Sequence, residues 1–218
     1  MNLAICCDFD GTITLTDTGK ELLDALTDKD WRSIDQFVIN GEIGTRAALI
    51  EQWGMIEHTT MEEIFSIVDT IEIDPTFIDF YNWILKNNIY FIILSDGFKT
   101  YIKRILEKHK INSSELEIKS NDMELIHNKI GLQFLTNSCE HGCANCKHSH
   151  VLKIKNDFDK VVYIGDGLSD ILPARELADY IFARKNEDLA LKLKTDSRLI
   201  EFSNFVEIQK FLEELMSK

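Results

Sequence analysis

The sequence predicts an α/β protein: a doubly wound, mostly parallel sheet with a helical unit inserted after its first strand. Three observations predict it. Short continuous apolar runs, Leu3–Cys7, Ile89–Leu94 and Val161–Ile164, have the length and composition of strands buried on both faces. Beyond residue 86 such runs alternate with helical periodicity, the pattern of parallel strands joined by crossover helices. Between residues 16 and 86 the periodicity is helical throughout, with no strand signal.

Leu3–Cys7 opens the chain as a strand. Helices are expected over 18–27, 30–39, 44–55, 60–69 and 75–87, the last with Asp74 as N-cap and Pro75 at its first position. Ile89–Leu94 is the second strand, followed by a helix over 98–109. Leu116–Phe134 alternates in residue type around Asn128-Lys129 and reads as a hairpin. After a Cys/His segment, a helix runs to about 156, then come the strand Val161–Ile164, a helix over 168–178 and the strand Tyr180–Ala183. Helices near 186–194 and 204–216 close the chain, and FVEIQKFLEEL in the last is amphipathic, so it is expected to pack on the sheet. The division that follows is a core of residues 1–14 and 86–218 and a helical cap of residues 15–85.

Composition excludes several classes. With 24 basic and 37 acidic residues the formal charge is −13, a field that repels nucleic acid and anionic membrane. Any phosphate site must therefore be locally positive or carry a metal. No apolar stretch approaches the roughly 20 residues of a membrane span, and Met1-Asn2-Leu3 lacks the basic flank of a signal peptide. A cytoplasmic location is expected. The five cysteines, an odd number, point to reduced thiols or metal ligands in place of a disulfide framework.

The chemistry concentrates at strand ends, where open α/β sheets bind their ligands. The first strand runs into Asp8-Phe9-Asp10-Gly11-Thr12, whose two carboxylates would start on one side of a strand of period two. The second runs into Ser95-Asp96-Gly97 and the third into Gly165-Asp166-Gly167-Leu168-Ser169-Asp170. Lys147, just before a helix, can supply a cation. Taken singly, each segment is also an ordinary turn, cap or structural-ion loop.

Together, and in this order, the four segments resemble the motifs of the haloacid dehalogenase superfamily of phosphatases: DxDGT, a strand-end Ser, a Lys and GDxxxD. The resemblance spans residues 5–170 and implies a Rossmann-like core with a C1-type cap in the inserted helices. It implies that Asp8 is a nucleophile forming an aspartyl-phosphate and that Asp10 is the acid/base. It further implies Mg²⁺ held by Asp8, the Asp10 carbonyl and Asp166, with Asp170 in the outer shell, and phosphate bound by Thr12, Ser95, Asp96, Gly97 and Lys147. Lys153 and Lys155 are rivals for the cation but lie further into the helix. Superfamily members that act as dehalogenases lack the second acidic residue, so Asp10 favours a phosphatase.

Residues 137–150 read NSCEHGCANCKHSH. Cys139, Cys143 and Cys146 with His141, His148 or His150 can furnish a structural zinc site, although C-x3-C-x2-C is half of a full zinc signature; reduced thiols beside surface histidines are the equal alternative. A cysteine-rich loop running into Lys resembles the phosphoserine-phosphatase-like branch that includes 2-hydroxy-3-keto-5-methylthiopentenyl-1-phosphate phosphatases, and Cys146-Lys147-His148 is similar to phosphoethanolamine/phosphocholine phosphatases. True phosphoserine phosphatases carry an early acidic residue and a cap arginine. Asp17 fits the first position, whereas Ile50 stands at the second with Arg46 one turn earlier, so Asp17 and Arg46 are candidate substrate contacts. The resulting expectation is a Mg²⁺-dependent phosphomonoesterase, monomer or homodimer, acting on a small phosphorylated metabolite, foremost the methionine-salvage enol phosphate, with phosphoserine or a phospho-alcohol behind it. The competing classes are a phospho-accepting or metal-binding regulatory protein without turnover.

Overall fold

The computed structural model describes residues 2–136 and 138–217. Its centre is the strand β1 (Leu3–Cys7), buried at all five positions. It pairs in parallel with β2 (Tyr90–Phe98) on one side and β5 (Lys160–Gly165) on the other. Seven strands form one sheet in the order β4-β3-β2-β1-β5-β6-β7, completed by β3 (Glu117–Ile126), β4 (Lys129–Gln133), β6 (Tyr180–Arg184) and β7 (Leu199–Phe202). Only β4 runs antiparallel to its neighbour. The chain builds outward from β1 through β2, β3 and β4, then returns to β1's other edge. That reversal opens a crevice at the carboxyl ends of β1, β2 and β5.

Both faces of the sheet are covered, which is why its central strands read as continuous apolar runs. Leu3, Ile5 and Cys7 face an aromatic layer that includes Phe77, Phe91, Phe182, Phe202 and Phe205. Ala4 and Cys6 face the smaller layer of Val151, Ile154 and Ala174, on α7 (Lys147–Lys155) and α8 (Ile171–Leu177).

Four helices follow β1: α1 (Thr18–Leu26), α2 (Arg32–Ile39), α3 (Thr45–Trp53) and α4 (Met61–Val68). A bridge between Thr14 and Ile73 ties the outgoing and returning chain together. The next helix, α5 (Phe77–Lys86), lies over the sheet beside α10 (Phe205–Met216), with ring centroids of Phe77 and Phe80 5.0 and 5.2 Å from that of Phe205. The remaining helices are α6 (Lys99–Lys108) and α9 (Asp188–Lys192).

Four local expectations change. Helix α5 starts at Phe77, because Asp74 caps a preceding turn through the Thr76 amide and hydroxyl (2.9 and 2.5 Å). The hairpin turns at His127-Asn128, one residue early, with φ of 51° and 61°. Two consecutive left-handed residues are what a two-residue hairpin needs, and Asn tolerates that region well. The helix expected over 168–178 breaks into a 3₁₀ turn, Leu168–Asp170, and α8. Strand β7 was not anticipated: four residues at a sheet edge give too short a pattern to read. Among the described residues, no helix is long and apolar enough to cross a membrane.

Candidate active site

The chain leaves β1 at Cys7, and Asp8 and Asp10 lie beyond the strand, so strand alternation does not place Asp10. A tight loop does. The amides of Ile13 and Thr14 both donate to the Phe9 carbonyl (2.8 and 3.0 Å), and Gly11 takes φ 76°. A side chain at Gly11 would bring its Cβ to 2.5 Å from Asp166 Oδ2. Glycine is required there by both conformation and space.

Asp8, Asp10, Ser95, Asp96, Gly97, Lys147 and Asp166 line one cavity of about 360 Å³ between the strand ends and the inserted helices. Asp8 and Lys147 are almost wholly buried, at 7% and 3% exposure. The Lys147 ammonium lies 2.9 Å from Asp8 Oδ1 and 2.7 Å from Asp170 Oδ1. Phe9's amide also donates to Asp8 Oδ1 (2.7 Å), which leaves Oδ2 open. Lys153 and Lys155 are elsewhere; Lys155 donates to the Leu177 carbonyl.

Asp170 is the buried hub behind this pair. Its Oδ1 accepts from Lys147 and Tyr163, and its Oδ2 from the amides of Asp166 and Gly167 (both 3.1 Å). With both oxygens occupied, Asp170 fits the outer shell that the sequence suggests. Asp166 Oδ1 accepts from the Thr12 hydroxyl at 2.5 Å, again leaving Oδ2 open. Thr12 is thus turned to Asp166 and away from a phosphoryl group, because it is fully buried beneath the loop. Carboxylate oxygens of Asp8, Asp166 and Asp170 all lie within 4.8 Å of one another. An oxygen-only donor set, with Asp166 Oδ2 open, fits a hard cation such as Mg²⁺.

Electrostatics agree with the geometry. Burial, then the Asp170 charge, pushes the Asp8 carboxyl well above its ordinary range against the opposing pull of Lys147. Asp166 rises to about 7 by burial and by Asp170. Asp10 rises to about 6 through burial and the nearby Asp17, countered by hydrogen bonds from Thr18 and Tyr101. Burial alone would lower the Lys147 pKa, but Asp170, Asp8 and Asp96 together raise it. A carboxyl poised near neutrality suits proton transfer.

Ser95 Oγ is 3.4 Å from Asp10 Oδ2 and accepts from the Gly97 amide (2.9 Å). Asp96 turns its carboxylate to the Asn145 amide (3.2 Å), so only its backbone suits a phosphoryl oxygen. Replacing Gly97 with Ala would drive a Cβ to 1.9 Å from Tyr101 Oη and 2.5 Å from Asp10 Oδ2. Gly97→Ala is expected to reduce kcat/KM by about 10²-fold through displacement of Asp10, with the circular dichroism spectrum unchanged; steady-state kinetics check it.

Asp17 caps α1 through the Lys20 amide (3.1 Å), pairs with Lys20 Nζ (3.3 Å) and lines the cavity. Arg46 does not reach it. Its guanidinium donates to the Thr136 carbonyl (2.9 Å) and sits over the Phe134 ring, because α3 begins at Thr45 and directs its first turn toward the end of β4. Cys139, Cys143 and Cys146 come together, whereas His148 pairs with Glu176 and His150 with Asn145.

Four residues of the site escaped the sequence reading. Tyr101 donates to Asp10 Oδ2 (2.9 Å) and Tyr163 to Asp170 Oδ1 (2.7 Å). Asn145 holds the carbonyls of Ser95 and Lys119 (2.9 and 2.8 Å), joining the Lys147 loop to β2 and β3. Arg184 grips the Thr12 carbonyl and pairs with Asp74 at 2.8 Å, bracing the loop from β6. Only Tyr101 carried a signal, as a polar-tipped aromatic in the first turn after Ser95–Gly97.

Comparison with known proteins places this geometry. The family model described as Putative Phosphatase matches residues 3–215. The chain is 30% identical over 225 residues to Pdp3-interacting factor 1 of Schizosaccharomyces pombe, covering 98% of this chain and 96% of that one. It is 26% identical over 227 residues to 2-hydroxy-3-keto-5-methylthiopentenyl-1-phosphate phosphatase of Bacillus cereus, covering 99% and 98%. A substrate-bound phosphoserine phosphatase superposes with a TM-score of 0.73 at 16% identity, over 96% of this chain and 97% of that one. A haloacid dehalogenase family hydrolase of Salmonella enterica serovar Typhi gives 0.73 at 18%, over 94% and 68%. A family match along nearly the whole chain, on this sheet order and with these carboxylates at the strand ends, makes the protein a phosphatase of the Putative Phosphatase family, with the fold of the haloacid dehalogenase family hydrolase and the phosphoserine phosphatase.

Proposed function

We propose that the protein is a Mg²⁺-dependent phosphomonoesterase that works through an aspartyl-phosphate on Asp8, and that its substrate is the methionine-salvage enol phosphate. The observation that carries the mechanism is the open Oδ2 of Asp8, whose own Oδ1 is fixed by Lys147 and the Phe9 amide. That oxygen attacks phosphorus as the ester bond breaks, while Asp10 gives its proton to the departing alkoxide. Asp10 then takes a proton from water as that water cleaves the acyl phosphate. Lys147 and the backbone amides around Ser95–Gly97 balance the phosphoryl oxygens. Bound through Asp8 and Asp166, Mg²⁺ would supply positive charge that lets two anions approach.

The substrate proposal rests on the cap side of the cavity. Val38, Leu49 and Trp53 make an apolar wall suited to a thioether tail. Asp17 and Asp35 line the same space, and Arg46 is held elsewhere, which disfavours a substrate carboxylate such as that of phosphoserine. The Bacillus relatives carry the name of the salvage enzyme. The acidic pair favours a second reading, a phospho-alcohol with an ammonium group such as phosphoethanolamine. A kinetic panel of the enol phosphate, phosphoserine, phosphoethanolamine and p-nitrophenyl phosphate, with and without Mg²⁺, tests both. A kcat/KM for the enol phosphate no better than for p-nitrophenyl phosphate would sink the first reading.

Metal binding has a stability signature. With its carboxyl raised to about 7, metal-free Asp166 binds a proton in the folded state that the unfolded chain lacks between roughly pH 4 and 7. Stability from this group therefore falls as pH rises through that window. Mg²⁺ takes the proton's place at high pH and competes with it at low pH. Thermal denaturation is expected to show a clear rise in Tm with saturating Mg²⁺ at pH 8 and a small one at pH 5, about 2.7 kcal/mol being the gain at a hundredfold excess over Kd.

A further inference from the structure

A cluster of thiols outside the carboxylate site lies on the loop between β4 and α7. Cys139, Cys143 and Cys146 are all free, and their Sγ atoms lie within 4.8 Å of one another. For a zinc–sulfur distance of about 2.3 Å, a tetrahedron has sulfur–sulfur edges of about 3.8 Å, so these thiols need only small shifts to share one ion. A fourth donor stands beside one of the three: His141 Nδ1 is 4.0 Å from Cys139 Sγ, and a turn of its exposed side chain would bring it toward the other two thiols. Three thiols leave one over from any disulfide pairing, and a soft sulfur set discriminates against Mg²⁺.

The loop's contacts show what an ion there would hold. The Arg46 amide donates to the Gly142 carbonyl (3.1 Å) and the Ala144 amide to Thr45 Oγ1 (3.0 Å), joining the loop to the first turn of α3. A Cβ on Gly44 would fall 2.3 Å from the Gly142 carbonyl oxygen, so two backbones meet here at a distance only glycine permits. From the other end, Cys146 donates its amide to Thr136 Oγ1 and immediately precedes Lys147. Polar contacts and one close backbone approach hold this junction between the inserted helices and the catalytic lysine. It has little apolar surface of its own: Cys139 and Cys143 are half-buried, and Cys146 and Ala144 are its buried apolar side chains.

We propose that Cys139, His141, Cys143 and Cys146 bind one structural Zn²⁺, distinct from the oxygen-donor metal at Asp8 and Asp166, which clamps the Lys147 loop to the start of α3. Binding releases the thiol protons and forms four bonds to the ion without redox change.

The test uses the full chain, loaded with Zn²⁺ under reducing conditions and freed of excess metal by gel filtration, with metal read by mass spectrometry. About one zinc per chain is expected. The double variant Cys139→Ser/Cys143→Ser should lose it, and Cys6→Ala, altered in the core, should keep it. Cobalt loading should give a thiolate-to-cobalt charge-transfer band with intense tetrahedral d–d absorption in the wild type and not in the double variant. Should that variant misfold, a mercurial thiol reagent added to the wild type gives the same answer, releasing zinc in step with thiol modification. Zinc release is expected to speed proteolysis within 138–146. Retention of less than about a tenth of an equivalent, equal zinc in the double variant, or a cobalt spectrum without sulfur charge transfer would each overturn the proposal.

Discussion

Asp8→Asn is expected to abolish turnover while leaving the protein at least as stable as the wild type. The amide cannot attack phosphorus, and loss of a nucleophile costs on the order of 10⁴-fold or more in kcat. Stability moves the other way. Asp8 is buried, and its carboxyl is pushed up by burial and by Asp170, so ionising it is a cost to the folded state. Asn keeps the shape and removes that charge, and Lys147 retains Asp170 as its partner at 2.7 Å. Metal-free Tm should therefore be unchanged or higher in the variant, and the difference should shrink as pH falls and the wild-type carboxyl takes up its proton. The two measurements are Mg²⁺-dependent phosphate release and thermal denaturation between pH 5 and 8. Full activity in Asp8→Asn would exclude the covalent mechanism; a large loss of Tm would show that Asp8 serves packing.

Lys147→Met is expected to damage both activity and fold. Methionine fills the methylene volume but leaves Asp8 and Asp170 without their shared cation, and removing one partner of a buried ion pair costs about 3–5 kcal/mol. Phosphoryl charge also loses a donor, so kcat should fall by roughly 10²–10³-fold even where the fold survives. The pH dependence identifies the cause. Lys147 has a raised folded pKa, so its stabilisation is fully present below the ordinary lysine value and is lost only at still higher pH. Between pH 5 and 8 the wild type therefore changes little on its account. In the variant, Asp8, already pushed up by burial and now without the opposing pull of Lys147, takes up its proton in the folded state as pH falls, which recovers stability. Denaturant midpoints should show Lys147→Met closer to wild type at pH 5 than at pH 8. An equal deficit at both would mean that lost packing, and not unpaired charge, is responsible.

Much of this arrangement was legible in the sequence because local rules governed it. Buried strands need unbroken apolar runs, so β1, β2 and β5 announced themselves, and the polar residues that end them could only lie at one edge of a parallel sheet. Lys147's place at a helix start favours it over Lys153 and Lys155, and of those three it is the one that lines the cavity. Arg46 misled because helical spacing gives a residue's position along an axis and not its direction in space. Thr12 misled in the same way: its place in the motif says nothing of the fact that its hydroxyl turns to Asp166. β7 is a four-residue edge strand whose pairing with β6 depends on a neighbour, not on its own pattern.

By itself the sequence determined the chemistry-bearing residue types, their order, and the sheet that gathers them, because periodicity and strand-end position are properties of the chain alone. Tertiary structure decided which oxygen of each carboxylate is occupied and which is open. It decided that Tyr101, Tyr163, Asn145 and Arg184 brace the loops, and that Arg46 faces the end of β4. Hydrogen bonds between residues 91 or 172 positions apart, as in Tyr101 to Asp10 and Arg184 to Thr12, leave no periodic trace in a sequence, since nothing but the folded chain brings their partners together.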